Sequence, residues 1–177
     1  VLELFGLQPD YDLDLMKPDQ PLNELTAAVF TGLEPVLRGF GPDWVLVQGD
    51  TTTVMAAGLS AYYHRVRVGH VEAGLRTGDK WQPFPEEINR RVTDVLAEVC
   101  FATSLEAIDN LRHEGVSADR IHFVGNPMID TLLRFRDRLH PAGQRARFSL
   151  PERFGGVTTH RPSNVDHREN LEPLVRQ

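Results

Sequence analysis

The chain of 177 residues is 41% hydrophobic, 25% charged and 8% aromatic, and its 25 acidic side chains against 19 basic ones give a formal net charge of −6. This excludes disorder as a whole-chain description, fits one domain or one domain plus part of a second, and argues against wholesale nucleic-acid binding, which needs clustered Lys and Arg. The lone Cys100 excludes an intramolecular disulfide and a thiolate zinc cluster, no apolar run reaches the roughly 18 residues that span a bilayer, and Val1 to Gly6 does not resemble a signal peptide, so the expectation is a cytoplasmic protein with no membrane association.

The chain opens on Val1 inside a helical pattern and stops at Gln177 inside another, as a piece of a longer protein would. From Pro21 to Phe40 the apolar positions Leu22, Leu25, Val29, Leu33, Val36, Leu37 and Phe40 recur at spacings of three and four, which predicts a helix with one buried face. After Gly41-Pro42, the continuous run Trp44 to Val47 predicts a strand buried on both faces. Thr51 to Tyr63 reads as helix, Val66 to Val71 as strand, and Glu86 to Leu96 as a helix opened by Pro85. Val99 to Thr103 is the next strand, Ser104 an N-cap for a helix over Leu105 to Glu114, Arg120 to Val124 a strand and Pro127 to Leu139 a helix.

Strands alternating with helices of ten or more residues imply an α/β fold, a Rossmann-like parallel sheet with helices on both faces. The alternation breaks at 141–150, where Pro141, Gly143 and basic residues read as a linker. The expected organisation is a domain over 1–140 and the start of a second, truncated one over 151–177. Gly155 to His160 resembles a strand end there, and His167 to Gln177 the start of a helix.

Ligands of open parallel sheets bind beyond the carboxyl ends of the strands, so the polar residues just after each strand are the candidates. The first stretch is Gln48-Gly49-Asp50-Thr51-Thr52-Thr53, where Gly49 permits a tight turn and a helix N-terminus offers free backbone donors. Asp50 is an acid or base there, or only a helix cap. The second runs from Gly69 to Thr77, in which Glu72 leaves a buried strand as a carboxylate suited to proton transfer. The competing reading is a structural ion pair of Glu72 with Arg76 or Arg90. His70 alternates with Glu72 and, as a lone His beside a strand, reads as a satisfied core residue.

The third stretch is Pro85-Glu86-Glu87-Ile88-Asn89-Arg90, with Glu86 and Arg90 four apart on one helical face. That spacing makes an ordinary helical ion pair, unless a nearby phosphate takes the planar donors of Arg90. In the fourth, His160 and Arg161 follow the last strand and could protonate or hold an anionic substrate. There is no phosphate loop of the G-x-x-x-x-G-K-[ST] kind, no G-x-G-x-x-G fingerprint, no G-x-S-x-G elbow and no H-E-x-x-H, and the seven His lack metal-ligand spacing, so no metal is expected.

In that order the strings Gln48-Gly-Asp-Thr-Thr-Thr53, Gly69-His-Val-Glu-Ala-Gly-Leu-Arg-Thr-Gly78, Pro85-Glu-Glu-Ile-Asn-Arg90 and Gly125-Asn126 resemble the non-hydrolysing UDP-N-acetylglucosamine 2-epimerases. The resemblance implies two Rossmann-like domains facing each other in the manner of B-type glycosyltransferases, and inversion at sugar C2 to interconvert UDP-N-acetylglucosamine and UDP-N-acetylmannosamine. It implies anti elimination of UDP to a bound 2-acetamidoglucal followed by re-addition, with no redox cofactor. It further implies catalytic roles for Asp50, Glu72, Glu86 and His160, contact of Asp50, Glu72, Arg90 and His160 with a UDP-sugar, and a homodimer as the full-length protein. Where a helix of the family often carries an effector-binding Arg, this chain has Ala28. The stretch after His160, Arg161-Pro162-Ser163-Asn164, departs from the family's usual His-Arg-Arg-Glu. The alternatives are a sugar-nucleotide binding module without catalysis, a hydrolysing epimerase and a glycosyltransferase-like enzyme. Retention of all three carboxylates favours the epimerase, because a diphosphate binder gains nothing from acids beside its ligand.

Overall fold

The computed structural model describes residues 2–136, 141–159 and 165–175. It divides into two compact units, Val1–Pro127 and Met128–Gln177.

In the first unit the short helix α1 (Leu2–Phe5) precedes the long helix α2 (Leu22–Phe40). Helix α2 ends where Gly41 turns left-handed at φ 60° and returns its N–H to the Leu37 carbonyl. Four strands follow, β1 (Trp44–Gln48), β2 (Arg67–Ala73), β3 (Val99–Ala102) and β4 (Ile121–Phe123), all parallel and in the order β1-β2-β3-β4. The crossovers are α3 (Thr52–Tyr63), α4 (Glu86–Leu96) and α5 (Leu105–His113). The elements foreseen from periodicity between Pro21 and Val124 are therefore present, with ends shifted by a residue or two, while the helix foreseen over Pro127 to Leu139 runs to Phe135 and positions 137–139 lie outside the described residues. Ser104 caps α5 as expected, its hydroxyl accepting from the Ala107 N–H.

The core lies between the sheet and the crossover helices: Val47, Val68, Cys100 and Ala102 of the strands meet Val54 and Ala61 of α3 and Ala107 and Leu111 of α5. Strand β1 departs from the expectation of burial on both faces. Val47 is buried, but Leu46 is 66% exposed, because β1 is an edge of the described sheet and only the face carrying Val45 and Val47 packs against this core. Burial pushes the Cys100 thiol up to about 12, assisted by the negative charge of Asp94, so this Cys is a small core residue.

The second unit is helical among its described residues. Helix α6 (Pro127–Phe135) starts at the division, and α7 (Pro141–Arg147) and α8 (Arg168–Val175) follow. A helix thus occupies part of the stretch read as a linker, and Gly155 to Thr159 form no strand. No helix among the described residues is long and apolar enough to cross a membrane.

Candidate active site

The site is built around the turn that leaves β1. Gly49 adopts φ +84°, and both of its backbone groups are held: its N–H donates to the Val71 carbonyl at 3.0 Å, and its carbonyl lies 2.8 Å from Nε2 of His70. Asp50 follows directly. The helix cap is Thr51, whose hydroxyl accepts from the Val54 N–H, so Asp50 is not the N-cap. Its carboxylate instead takes Nη2 of Arg90 at 2.5 Å, and its carbonyl accepts from Nδ2 of Asn89 at 3.0 Å. Two residues of α4 thus clamp the turn.

Glu72 sits in a bulge. Val71 pairs with Phe101 and Ala73 with Ala102, so Glu72 is the extra residue of β2, and it holds φ +72°. A left-handed backbone in a residue with a Cβ costs about 1–3 kcal/mol and persists only where the surroundings enforce it. The bulge re-aims the side chain, and Glu72 Oε2 lies 3.5 Å from where a Cβ on Gly49 would stand. No hydrogen bond or ion pair to the Glu72 carboxylate occurs among the described residues. The alternative of a structural pair with Arg76 or Arg90 does not hold: Arg76 binds Glu114 and Asp94, and Arg90 binds Asp50.

Glu86 opens α4, and among the described residues its Oε2 is buried without a partner, as is Nε of Arg90. The Glu86–Arg90 helical pair is therefore not formed either. Glu86 lines a cavity of about 340 Å³ together with Thr51, Asn89, Leu22, Leu25 and Met16. Asp50, Glu72 and Arg90 thus meet around the Gly49–Asp50 turn, with Glu86 one helical turn before Arg90 on α4. His160 and Arg161 lie outside the described residues.

Behind these residues α4 buries charge. Its buried positions are Glu87, Asn89, Arg90, Thr93 and Asp94, while Ile88 and Val95 are exposed. Both oxygens of Glu87 accept backbone N–H groups of the loop after β2, from Thr77 at 3.2 Å and Gly78 at 3.3 Å. Asp94 takes Nδ1 of His70 on one oxygen, and Nη2 of Arg76 and the Gly74 N–H on the other. Sequence reading singled out neither Glu87 nor Asp94. The available signal was an Asp in mid-helix, where it is a weak helix former and needs a tertiary reason.

Arg76 closes the network with two bonds to Glu114, Nε to Oε1 at 2.9 Å and Nη2 to Oε2 at 2.6 Å. Burial works against its charge, but the hydrogen bonds and charges of Glu114 and Asp94 outweigh it and hold the guanidinium above its ordinary range. The hydrogen bond from Arg76 in turn holds the Glu114 carboxyl below the usual carboxylate range. A depressed folded-state value stabilises the fold above the unfolded value, about 4.3 for Glu, and the gain is lost as pH falls through the folded value. Glu114→Gln is accordingly expected to lower the unfolding temperature at neutral pH, with the gap to wild type closing below about pH 4. A thermal unfolding series against pH checks this, and a gap that persists in acid sinks it.

Among the described residues no group of three or more His, Cys, Asp or Glu could hold a metal ion.

Comparison with known proteins follows the same lines. The family model described as UDP-N-acetylglucosamine 2-epimerase matches residues 1–177. The UDP-N-acetylglucosamine 2-epimerase of Bacillus subtilis is 49% identical over 180 residues, covering 100% of this chain and 47% of the relative; that of Yersinia pestis is 48% identical over 161 residues, covering 91% and 43%. The chain spans less than half the length of these curated relatives. Among solved structures, the Methanocaldococcus jannaschii UDP-GlcNAc 2-epimerase in complex with UDP-GlcNAc and UDP superposes with a TM-score of 0.87 at 35% identity, covering 99% of this chain and 48% of that one. The Neisseria meningitidis enzyme bound to UDP-GlcNAc gives 0.77 at 43% identity, covering 84% and 40%. With its whole length matched by the family model and its parallel α/β sheet shared with these structures, the chain belongs to the UDP-N-acetylglucosamine 2-epimerase family.

Proposed function

We propose that the intact protein is a non-hydrolysing UDP-N-acetylglucosamine 2-epimerase, to which this chain contributes the acids of the cleft. The observation that carries the reading is the set of three carboxylates around the Gly49–Asp50 turn, with no partner for Glu72 or for Oε2 of Glu86 among the described residues. C2–H of the sugar is not next to a carbonyl, so a base can take its proton only as the C1–O bond breaks and UDP leaves with the bonding electrons. The resulting 2-acetamidoglucal then takes UDP back at C1 and a proton at C2 on the opposite face. Asp50, Glu72 and Glu86 serve the proton transfers, Arg90 holds Asp50 in place and supplies positive charge toward the nucleotide sugar, and His160 acts from the nucleotide side.

The same reading has residues 1–140 as the N-terminal Rossmann-like domain and 151–177 as the start of the second. It has the intact enzyme as a cytoplasmic homodimer that needs no redox cofactor and no metal, with this chain alone inactive. The test is proton NMR of the intact protein with UDP-N-acetylglucosamine in deuterated water. Deuterium at C2 with UDP still attached supports the proposal. Free N-acetylmannosamine plus UDP means a hydrolysing enzyme, and an unchanged spectrum means a binding module.

A further inference from the structure

His70 is fully buried on β2, and each of its ring nitrogens faces an acceptor. Nδ1 is 2.5 Å from Oδ1 of Asp94, and Nε2 is 2.8 Å from the Gly49 carbonyl oxygen. A neutral imidazole has one donor and one acceptor nitrogen, so it can satisfy only one of these partners. The proton cannot be assigned to Asp94 without cost elsewhere, because its other oxygen already accepts from Arg76 Nη2 at 2.7 Å and from the Gly74 N–H at 3.2 Å. We propose that His70 carries both ring protons and is a positioning residue, which fixes the Gly49 carbonyl and through it the placement of Asp50 and Glu72.

The network sets two cations, His70 and Arg76, against two anions, Asp94 and Glu114. On α4, Asp94 faces the ring, while Glu87 is engaged by the Thr77 and Gly78 N–H groups and, at 3.8 Å, by Arg90, which also binds Asp50. After β2, Arg76 shares its charge between Asp94 and Glu114, and Glu114 also meets Arg91 at 3.5 Å. On β3 the register partner of His70 is Cys100, whose thiol is pushed up to about 12 by burial and remains neutral. On β1 the register partner of His70 is Val47, and just after that strand the Gly49 carbonyl meets Nε2.

The mechanical consequence follows from the turn. The Gly49 N–H is tied to the Val71 carbonyl and its own carbonyl to His70, so β2 holds the peptide groups on both sides of a residue whose φ of +84° suits glycine. Asp50 is the next residue, and the Glu72 carboxylate lies over the same glycine. His70 reaches no cleft itself. It acts through the Gly49 peptide, where a displacement of about 1 Å is enough to cost about 10²-fold in rate.

The kinetic half of the inference rests on the epimerase reading, and the protonation half does not. Nitrogen-15 NMR of the histidine rings of the intact protein at neutral pH, with His70 assigned by its loss in His70→Gln, reads protonation directly. Both His70 nitrogens in the protonated range are expected, and reversion to a single protonated nitrogen in Asp94→Asn. A wild-type ring with one bare nitrogen overturns the proposal. In the epimerase assay His70→Gln is expected to lower kcat by about 10²-fold with KM nearly unchanged. A folded His70→Gln protein with wild-type kcat overturns the positioning role. Should His70→Gln not fold, Asp94→Asn takes its place in the assay with the same expectation and the same overturning result. An intact wild-type protein without epimerase activity sinks the epimerase reading, while its ring spectrum still decides the state of His70.

Discussion

Glu72→Gln in the intact protein is expected to lower turnover by about 10²–10⁴-fold, the range a positioned acid or base contributes, while the unfolding temperature stays close to wild type. The two outcomes separate because Gln keeps the size and backbone of Glu and removes only the ionisable group, and among the described residues no protein group bonds that carboxylate. Asp50→Asn should behave differently. It lowers turnover too, but it also strips from Arg90 the nearer of its two charged partners, leaving Glu87 at 3.8 Å, and Nε of Arg90 is already buried without a partner among the described residues, so stability falls with activity. Glu72→Gly adds a further control. It removes the carboxylate and relieves the left-handed backbone together, so the protein should be inactive and more stable by about 1 kcal/mol. Steady-state rates with deuterium exchange at C2, read beside thermal unfolding, check all three. Wild-type turnover in Glu72→Gln removes Glu72 from the chemistry.

The largest expected effect on stability lies two residues further on. Gly74→Ala places a Cβ 2.3 Å from the Ala107 carbonyl oxygen and 2.9 Å from Leu111 Cγ, at a residue with φ +86°. The obstruction is backbone of α5, so no rotamer change removes it, and Asn110 and Asp94 grip the Gly74 carbonyl and N–H against retreat. Backbone strain of about 1–3 kcal/mol and overpacking of about 1–3 kcal/mol combine to about 2–6 kcal/mol. Against a total stability of about 5–15 kcal/mol, that removes much of the margin. Gly78→Ala is the matched control, because Gly78 has φ +80° but nothing within 4 Å of the new Cβ, and only the conformational part remains. Urea unfolding of the two variants separates the contributions. Equal losses sink the packing argument.

Helices and strands were legible in the sequence because their signals are local: the three-and-four spacing of α2, the apolar run of β1, the Ser104 cap. What periodicity could not supply is which strand end meets which helix. The bonds that hold the Gly49–Asp50 turn and His70 join residues 21 to 40 positions apart, as in His70 to Gly49, His70 to Asp94 and Arg90 to Asp50. The i,i+4 rule offered Glu86 as the partner of Arg90, and tertiary contact gave it Asp50. Likewise Asp50 looked like a cap until Thr51 took that duty. The exposed side chain of Leu46 has the same origin, since an apolar run reports that a strand is buried but not on how many sides. Asp50, Glu72 and Glu86 stand out in the sequence because a position after a strand or at a helix start is where a parallel sheet offers side chains to a ligand. Asp94 and Glu87, which support them from inside, carry no such mark.

Helix α4 turns its charged side inward and leaves Ile88 and Val95 in solvent. Its tolerance to substitution therefore runs against the usual map, in which the buried stripe accepts any aliphatic residue of the right volume and the outer face demands polarity. Here the outer positions are the permissive ones, and a stabilisation scheme that greases buried polar sites would strand Arg76, His70 and the loop at Thr77 and Gly78 without their counter-groups. The helix is also locked in rotation. Turning it by one residue would trade three satisfied charges for two hidden methyl-bearing side chains, so its charged interior sets a phase that an oily interface would leave free to slip.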